Sequence, residues 1–242
     1  TDEIVTAYWG NESDKIVPSY RSDGSVWPNY DGVWHLSQSA PDPVVVSSTG
    51  ARNGTRNGGV TSGTASAIGL GYVFDGLDDS ISINGYSGVL GSNPRTISAW
   101  VKTSDLRGGI ASWGGAGNEW AFGISAGKIA VDVGVGGSQA PTTINDNQWH
   151  HVVNVLPEGA DNADQVLLYL DGILQTNSLR TPNPANTTAG PSVLLGSGIG
   201  SDPILSGSAD EFRISSVERG ARWIRYSAEN QQQGSTFLST MV

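Results

Sequence analysis

The feature that most limits the fold of this chain is a side-chain period of two, repeated in short runs and cut by turn residues. In "RTISAWVKT", Ile97, Ala99 and Val101 fall on one face and Ser98, Trp100 and Lys102 on the other. Successive strand side chains point to opposite faces, so this alternation marks a strand. "SISING", "GKIAVDVGVGG" and "QVLLYLDG" repeat it between Gly, Asn and Asp. Asp171-Gly172 stands between two apolar runs, a strong short-range hairpin signal, and Ala126-Gly127 offers another turn. The 33 glycines among 242 residues suit short strands and tight turns and disfavour long helices. The expectation is an all-β chain, a sandwich or a barrel.

Two stretches depart from the pattern. Val217, Ala221, Ile224 and Ala228 fall three or four apart, with Gly234 as a stop, which predicts one short C-terminal helix packed on the sandwich. Ser39 to Gly71 is rich in Pro, Ser, Thr and Gly and reads as a long ordered loop, or a loop with a short edge strand. The core is expected to include Val73, Ile81, Ile83, Ile97, Ala99, Val152, Leu168, Leu170 and Ile214, with Phe74 pointing inward.

Composition narrows function. The net charge of −10 opposes nucleic-acid backbones and anionic membranes and leaves room for calcium. No cysteine is present, which removes disulfides, thiolate chemistry and cysteine-bound zinc. No stretch approaches the ~20 apolar residues of a membrane span. The chain starts without Met and shows no signal peptide, so it reads as a piece of a longer protein.

Six segments, in order, carry a resemblance. "GYVFDGLDDSISI", "RTISAWVKT", "QWHHVVNV", "VLLYLDGILQ", "VLLGSG" and "ADEFRISSVERGARWI" resemble successive strands, and a closing helix, of laminin-G-like, concanavalin A-like jelly-roll domains of bacterial extracellular proteins. Upstream, "AYWGN" and "DGSVWPNYDGVWHLSQS" resemble the end of an uncharacterised bacterial module. The resemblance divides the chain into an N-terminal arm, residues 1–28, and a jelly-roll domain, residues 29–242. It implies a two-sheet antiparallel jelly-roll β-sandwich, a secreted or cell-surface setting, and a binding or adhesion role toward carbohydrate or cell-surface glycan. It also implies Ca2+ in many members. The Glu-x-Asp-x-(x)-Glu run of the related hydrolases is missing, and "SSTGARNG" puts Ser47 where an acid often stands.

The candidate sites follow. "SWGGAGNEW" holds a Gly-rich loop between Trp113 and Trp120, with Asn118 and Glu119 as polar groups. Indoles can stack on the C–H face of a sugar while amide and carboxylate meet its hydroxyls, so this loop is the candidate ligand site. The alternative is that Trp120 faces the core. For a metal, the resemblance points to Asp210, beside Glu211, with backbone oxygens of the loop around Asn53. The alternative there is an acid paired with Arg213 or Arg222. Asp75, Asp78 and Asp79 read as a turn in which Asp75 holds backbone amides and the other two diverge. A metal ligand and a catalytic pair remain alternatives. His150 and His151, as strand neighbours, cannot chelate one ion together; with His35 they read as structural. Without a Gly-x-Ser-x-Gly elbow or paired catalytic carboxylates, the leading function is a non-enzymatic carbohydrate-binding module. A structural or protein-interaction domain comes second, and a polysaccharide lyase or hydrolase third. Membrane insertion and nucleic-acid binding are not expected.

Overall fold

A computed structural model describes residues 25–39, 43–198 and 203–232. In chain order the strands are β1 (Tyr30–Trp34), β2 (Val44–Val45), β3 (Gly54–Asn57), β4 (Thr61–Ala65), β5 (Leu70–Asp75), β6 (Ser80–Asn84), β7 (Arg95–Lys102), β8 (Arg107–Gly115), β9 (Asn118–Ser125), β10 (Lys128–Val133), β11 (Gly136–Thr143), β12 (His150–Leu156), β13 (Leu167–Leu170), β14 (Ile173–Leu174), β15 (Leu179–Thr181), β16 (Ser192–Leu195) and β17 (Ser206–Ser215). One helix, α1 (Ala221–Gln231), follows them.

The strands form two antiparallel sheets. One has eight strands in the order β14-β13-β12-β7-β17-β5-β4, with β1 also paired to β17. The other has nine, in the order β15-β11-β10-β9-β8-β16-β6-β3-β2. The period of two decides which residues lie between them. Ile97, Ala99 and Val101 of β7 and Val152 of β12 meet Ile81, Ile83, Phe122 and Val131 of the facing sheet in one core. The turns at Asp171-Gly172 and Ala126-Gly127 both have two positive φ angles, the geometry that matches hairpin twist.

"FDGLDDSISI" is a strand, turn and strand, but it is not a hairpin. Its first strand, β5, belongs to the eight-stranded sheet and its second, β6, to the nine-stranded one. Phe74, Ile81 and Ile83 are all buried. Val73 departs from its expected core place and is only half-buried. It neighbours Tyr72 and Phe74, which both point inward, so it must point out.

The segment before Gly71 contains three strands rather than a loop with one edge strand. Their sequences, "GTRN" and "TSGTA" above all, lack alternation because most of their side chains face water. Backbone pairing places them, β3 to β6 and β2, and β4 to β5, with Val45 of β2 in the core and Asn57 of β3 donating to Ser82 Oγ at 2.8 Å.

Helix α1 begins after Gly220. It lies on the outer face of the eight-stranded sheet, where Ile224 joins Val153, Val155 and Tyr169 in a second small core. Burying Ile224 contributes roughly 1.5–3 kcal/mol. Gly234 lies outside the described residues, as does most of the arm, including "AYWGN". No helix among the described residues is long and apolar enough to cross a membrane.

Gly88, at φ +75°, would place a Cβ 2.3 Å from the Trp113 ring, whereas Gly85, at φ +77°, has nothing within 4 Å. Gly85→Ala should therefore cost only the backbone term, about 1 kcal/mol. Gly88→Ala should cost about 2–4 kcal/mol, because the indole must also move. Denaturant melts of the two variants check this; equal losses would contradict the close packing.

Candidate functional site

The outward face of the nine-stranded sheet carries a trough. In β9, Trp120, Phe122 and Ile124 point to the core, so Glu119, Ala121, Gly123 and Ser125 point out. Register then lines up small residues across strands. Gly109 pairs with Gly123, Gly123 with Ala130, and Ala130 with Gln139. In the next row Ser112 pairs with Ala121, Ala121 with Asp132, and Asp132 with Gly137. With almost no side chain standing on these positions, the sheet is left hollow.

Two depressions share Ser125, Ala130 and Asp132 and so form one trough. One wall is the backbone near Gly198 together with Pro203. A Cβ on Gly109 would meet the Gly198 nitrogen at 2.1 Å, and Ser112 Oγ donates to the Ser197 carbonyl at 2.8 Å. The other wall is Leu179 and Val135, which are 54% and 90% exposed. Arg107, Ser125, Asp132, Gln139 and Thr181 supply the polar groups. The depressions measure about 140 and 220 Å3. Each is below the ~300–1,000 Å3 that engulfs a drug-sized ligand, so the trough suits something laid across it.

The structure separates the four residues expected to bind ligand. Trp113 and Trp120 are 1% and 0% exposed and stack on each other, with centroids 6.4 Å apart. Arg95, itself fully buried, lies 4.6 Å from the Trp120 ring centre. The two indoles are therefore core, and they cannot stack on a sugar. Asn118 is exposed at the β8–β9 turn, and Glu119 lies on the trough's face of β9. The trough itself was missed because its signal is small residues facing each other across strands, which becomes readable only with the register in hand.

The two residues expected to bind metal are already engaged. Asp210 is 0% exposed and accepts from Ser66 Oγ at 2.8 Å, Ile68 N at 3.0 Å and Glu211 N at 2.8 Å. Asn53 Oδ1 accepts from Ser47 N at 3.0 Å, and Ser47 Oγ accepts from Val33 N at 3.3 Å. That loop closes on itself, with Ser47 as its hub. A hard cation needs about six to eight oxygens, and Asp210 and Asn53 spend theirs on different segments of the chain. Neither fits a calcium site.

The acids of "FDGLDDSISI" differ from expectation. Asp75 Oδ1 accepts from Leu77 N at 2.8 Å, as a turn Asp should. Asp79 is 1% exposed and accepts from Asp75 N at 2.9 Å and Gly59 N at 2.5 Å. Asp78 is exposed, yet one carboxylate oxygen from each of the three lies within 4.8 Å of the others. Residues 76–79 are a turn, so the strand rule that would separate Asp78 from Asp79 does not apply.

The histidines are structural. His150 is held by Asp171 at 2.8 Å and Asp146 at 3.2 Å, and the Asp171 bond raises its pKa above the ordinary value. His35 bonds Glu211 at 2.5 Å, and Arg213 bonds the other Glu211 oxygen at 2.6 Å. Burial pushes Glu211 up, but His35 and Arg213 outweigh it and hold the carboxyl low. His151 is buried, with its ring 5.3 Å from that of Trp100. Burial, helped by Arg213, pushes it down to about 3.

Residues 74–225 match the family described as the concanavalin A-like lectin/glucanases superfamily. No curated protein matches the chain in sequence. Among solved structures, domain 4 of AbnA is 19% identical with a TM-score of 0.57, covering 85% of this chain and 98% of that one. AbnA is a GH43 extracellular arabinanase from Geobacillus stearothermophilus, and that domain was solved with arabinotriose. The botulinum neurotoxin serotype D binding domain is 18% identical with a TM-score of 0.61, covering 84% of this chain and 52% of that one. The receptor binding domain of the botulinum neurotoxin C/D mosaic serotype is likewise 18% identical, with a TM-score of 0.60 and coverages of 84% and 51%. The chain thus spans about half the length of these toxin structures. At such identities the likeness is one of fold.

Two buried groups set opposite pH slopes. Burial raises Asp210 to about 6, against bonds from Ser66 and Ile68 that lower it. Its contribution is present below the unfolded pKa near 3.8 and is lost as pH rises to about 6. His151 titrates near 3 when folded against 6.5 unfolded, so its contribution is present above pH 6.5 and is lost as pH falls. Between pH ~4 and ~6 the two oppose each other, each with a weight of order 2–3 kcal/mol. Relative to the wild type, His151→Gln should lose stability with rising pH across this window, and Asp210→Asn should gain it. Urea melts at stepped pH check the slopes; parallel profiles would contradict them.

Proposed function

The chain belongs to the concanavalin A-like lectin/glucanases superfamily, and from that premise we propose that it is a non-enzymatic, extracellular carbohydrate-binding module. Its ligand is a stretch of polysaccharide or glycan lying along the trough over β8 to β11. The observation that carries this reading is the alignment of Gly109, Gly123, Ala121 and Ala130 across three strands, beneath Arg107, Asp132 and Gln139. Small residues let a sugar chain approach the sheet, side-chain donors and acceptors meet its hydroxyls, and Val135 and Leu179 meet its C–H faces. The neighbour solved with arabinotriose makes that trisaccharide the first probe.

Calcium joins this reading at Asp75 and Asp78, in the cluster whose carboxylate oxygens lie within 4.8 Å of one another; Asp79 spends both of its oxygens on the Asp75 and Gly59 amides, as Asp210 spends its own. Asp75 and Asp78 supply part of the about six to eight oxygens a calcium ion takes. On this reading, added calcium raises the melting temperature, Asp78→Asn abolishes the rise and Asp210→Asn leaves it.

A second reading is an interaction or adhesion domain of a larger bacterial surface protein. One observation favours it: the burial of Trp113 and Trp120 removes the expected aromatic pair from the surface.

Calorimetry with arabinotriose and longer arabinan fragments separates the two. The carbohydrate reading expects saturable binding, lowered about tenfold by Asp132→Ala or Arg107→Ala, the loss of one charge-assisted contact. No heat at millimolar sugar, with calcium or with EDTA, would favour the interaction domain.

A further inference from the structure

A second hollow lies on the opposite side of the molecule, between the start of β1, the end of β17 and α1. It measures about 380 Å3 and is lined by Trp27, Tyr30 and Trp223 together with Arg213 and Arg219, whose guanidinium groups lie against those rings. The rings touch in sequence. Trp27 meets Tyr30 edge-on with centroids 5.5 Å apart, and Tyr30 lies 6.0 Å from Trp223. Each guanidinium sits over these rings, Arg213 at 5.1 Å from Trp27, and Arg219 at 4.3 Å from Tyr30 and 5.2 Å from Trp223.

The protein has 23 acids against 13 Lys and Arg, and among the described residues no acid lines the hollow. Arg213 spends its charge on Glu211 behind it. Arg219 makes no ion pair among the described residues; its hydrogen bonds go to the neutral oxygens of Pro28 and Ser215. With Nε and one Nη2 hydrogen spent on these oxygens, the Nη1–Nη2 end of Arg219 is the part that can meet a planar anion with two parallel bonds.

We propose that this hollow is a second ligand site, separate from the trough, and that it takes a carboxylate-bearing sugar ring of the hexuronate type. Arg219 binds the carboxylate. Ser227 and Asn230, which α1 turns toward the same hollow, meet the ring hydroxyls. Trp27 and Trp223 supply the apolar part of the lining. At about 380 Å3 the space falls in the range that holds a small ligand.

The test is a tryptophan-fluorescence and calorimetric titration of the whole chain with sodium glucuronate at constant ionic strength, with glucose as the neutral control. Saturable glucuronate binding is expected, with glucose about tenfold weaker or worse. Arg219→Gln keeps a donor near Ser215 but removes the charge and the reach to Pro28, and should weaken glucuronate about tenfold. If that variant folds poorly, Arg219→Lys serves instead; it keeps the charge without the planar fork, and should also weaken binding. Asp132→Ala in the trough should leave glucuronate binding intact, so failure of the trough and failure of this site are distinguishable. Equal binding of glucose and glucuronate, no saturation, or wild-type affinity in the Arg219 variants would overturn the proposal.

Discussion

The structure turns on strand β17, which must satisfy three neighbours along ten residues. One of its edges pairs with β7 along both halves. The other is shared end to end, by β5 over Ser206–Ala209 and by β1 over Phe212–Ser215. The hand-over needs a break, and the register to β7 shifts between Asp210 and Arg213, with Glu211 at φ +53°. Each residue at the break ties down a different part of the fold. Asp210 turns to Ser66 and Ile68 and fixes the β4–β5 turn. Glu211 turns to His35, Arg213 and Gln231, so it links the end of β1 to α1. A carboxylate that looks like a metal ligand in the sequence is thus a structural acceptor.

Much of the architecture was legible because burial imposes a period. The sheets, the Asp171-Gly172 and Ala126-Gly127 turns and the helix through Ile224 and Ala228 could all be read from side-chain pattern. What could not be read lacked a pattern or depended on depth. β3 and β4 are polar strands placed chiefly by backbone pairing, which leaves no apolar period to read. Val73 and Phe74 are equally apolar, and only the phase of the strand decides which one is core. Trp113 and Trp120 flank a glycine-rich turn that looks open in sequence. Their strands carry them inward, where Trp113 Nε1 donates to the Val89 carbonyl at 3.0 Å and Arg95 stacks over Trp120. Arg95 stays there because Val89, Gly91, Asn93 and Thr187 give it neutral oxygens. Burial lowers it to about 10, so it still carries its charge at neutral pH.

The two sheets therefore expose different chemistry. The nine-stranded sheet presents a shallow face in which glycine and alanine make room and charged or amide side chains stand at the margins. The eight-stranded sheet is capped by α1, beside which Trp27, Tyr30, Trp223, Arg213 and Arg219 gather. A sugar chain can lie across the first face between its two walls, and the second suits a compact group.

The central claim is that recognition belongs to the hollow face over β8 to β11 and not to the Trp113–Trp120 turn. Amide chemical-shift mapping with arabinotriose tests it most directly. The account predicts shifts concentrated at Gly109, Gly123, Ser125, Asp132 and Gln139, with the 115–118 turn and the 75–79 turn nearly silent. Shifts centred on the 115–118 turn, or none at saturating sugar, would contradict it.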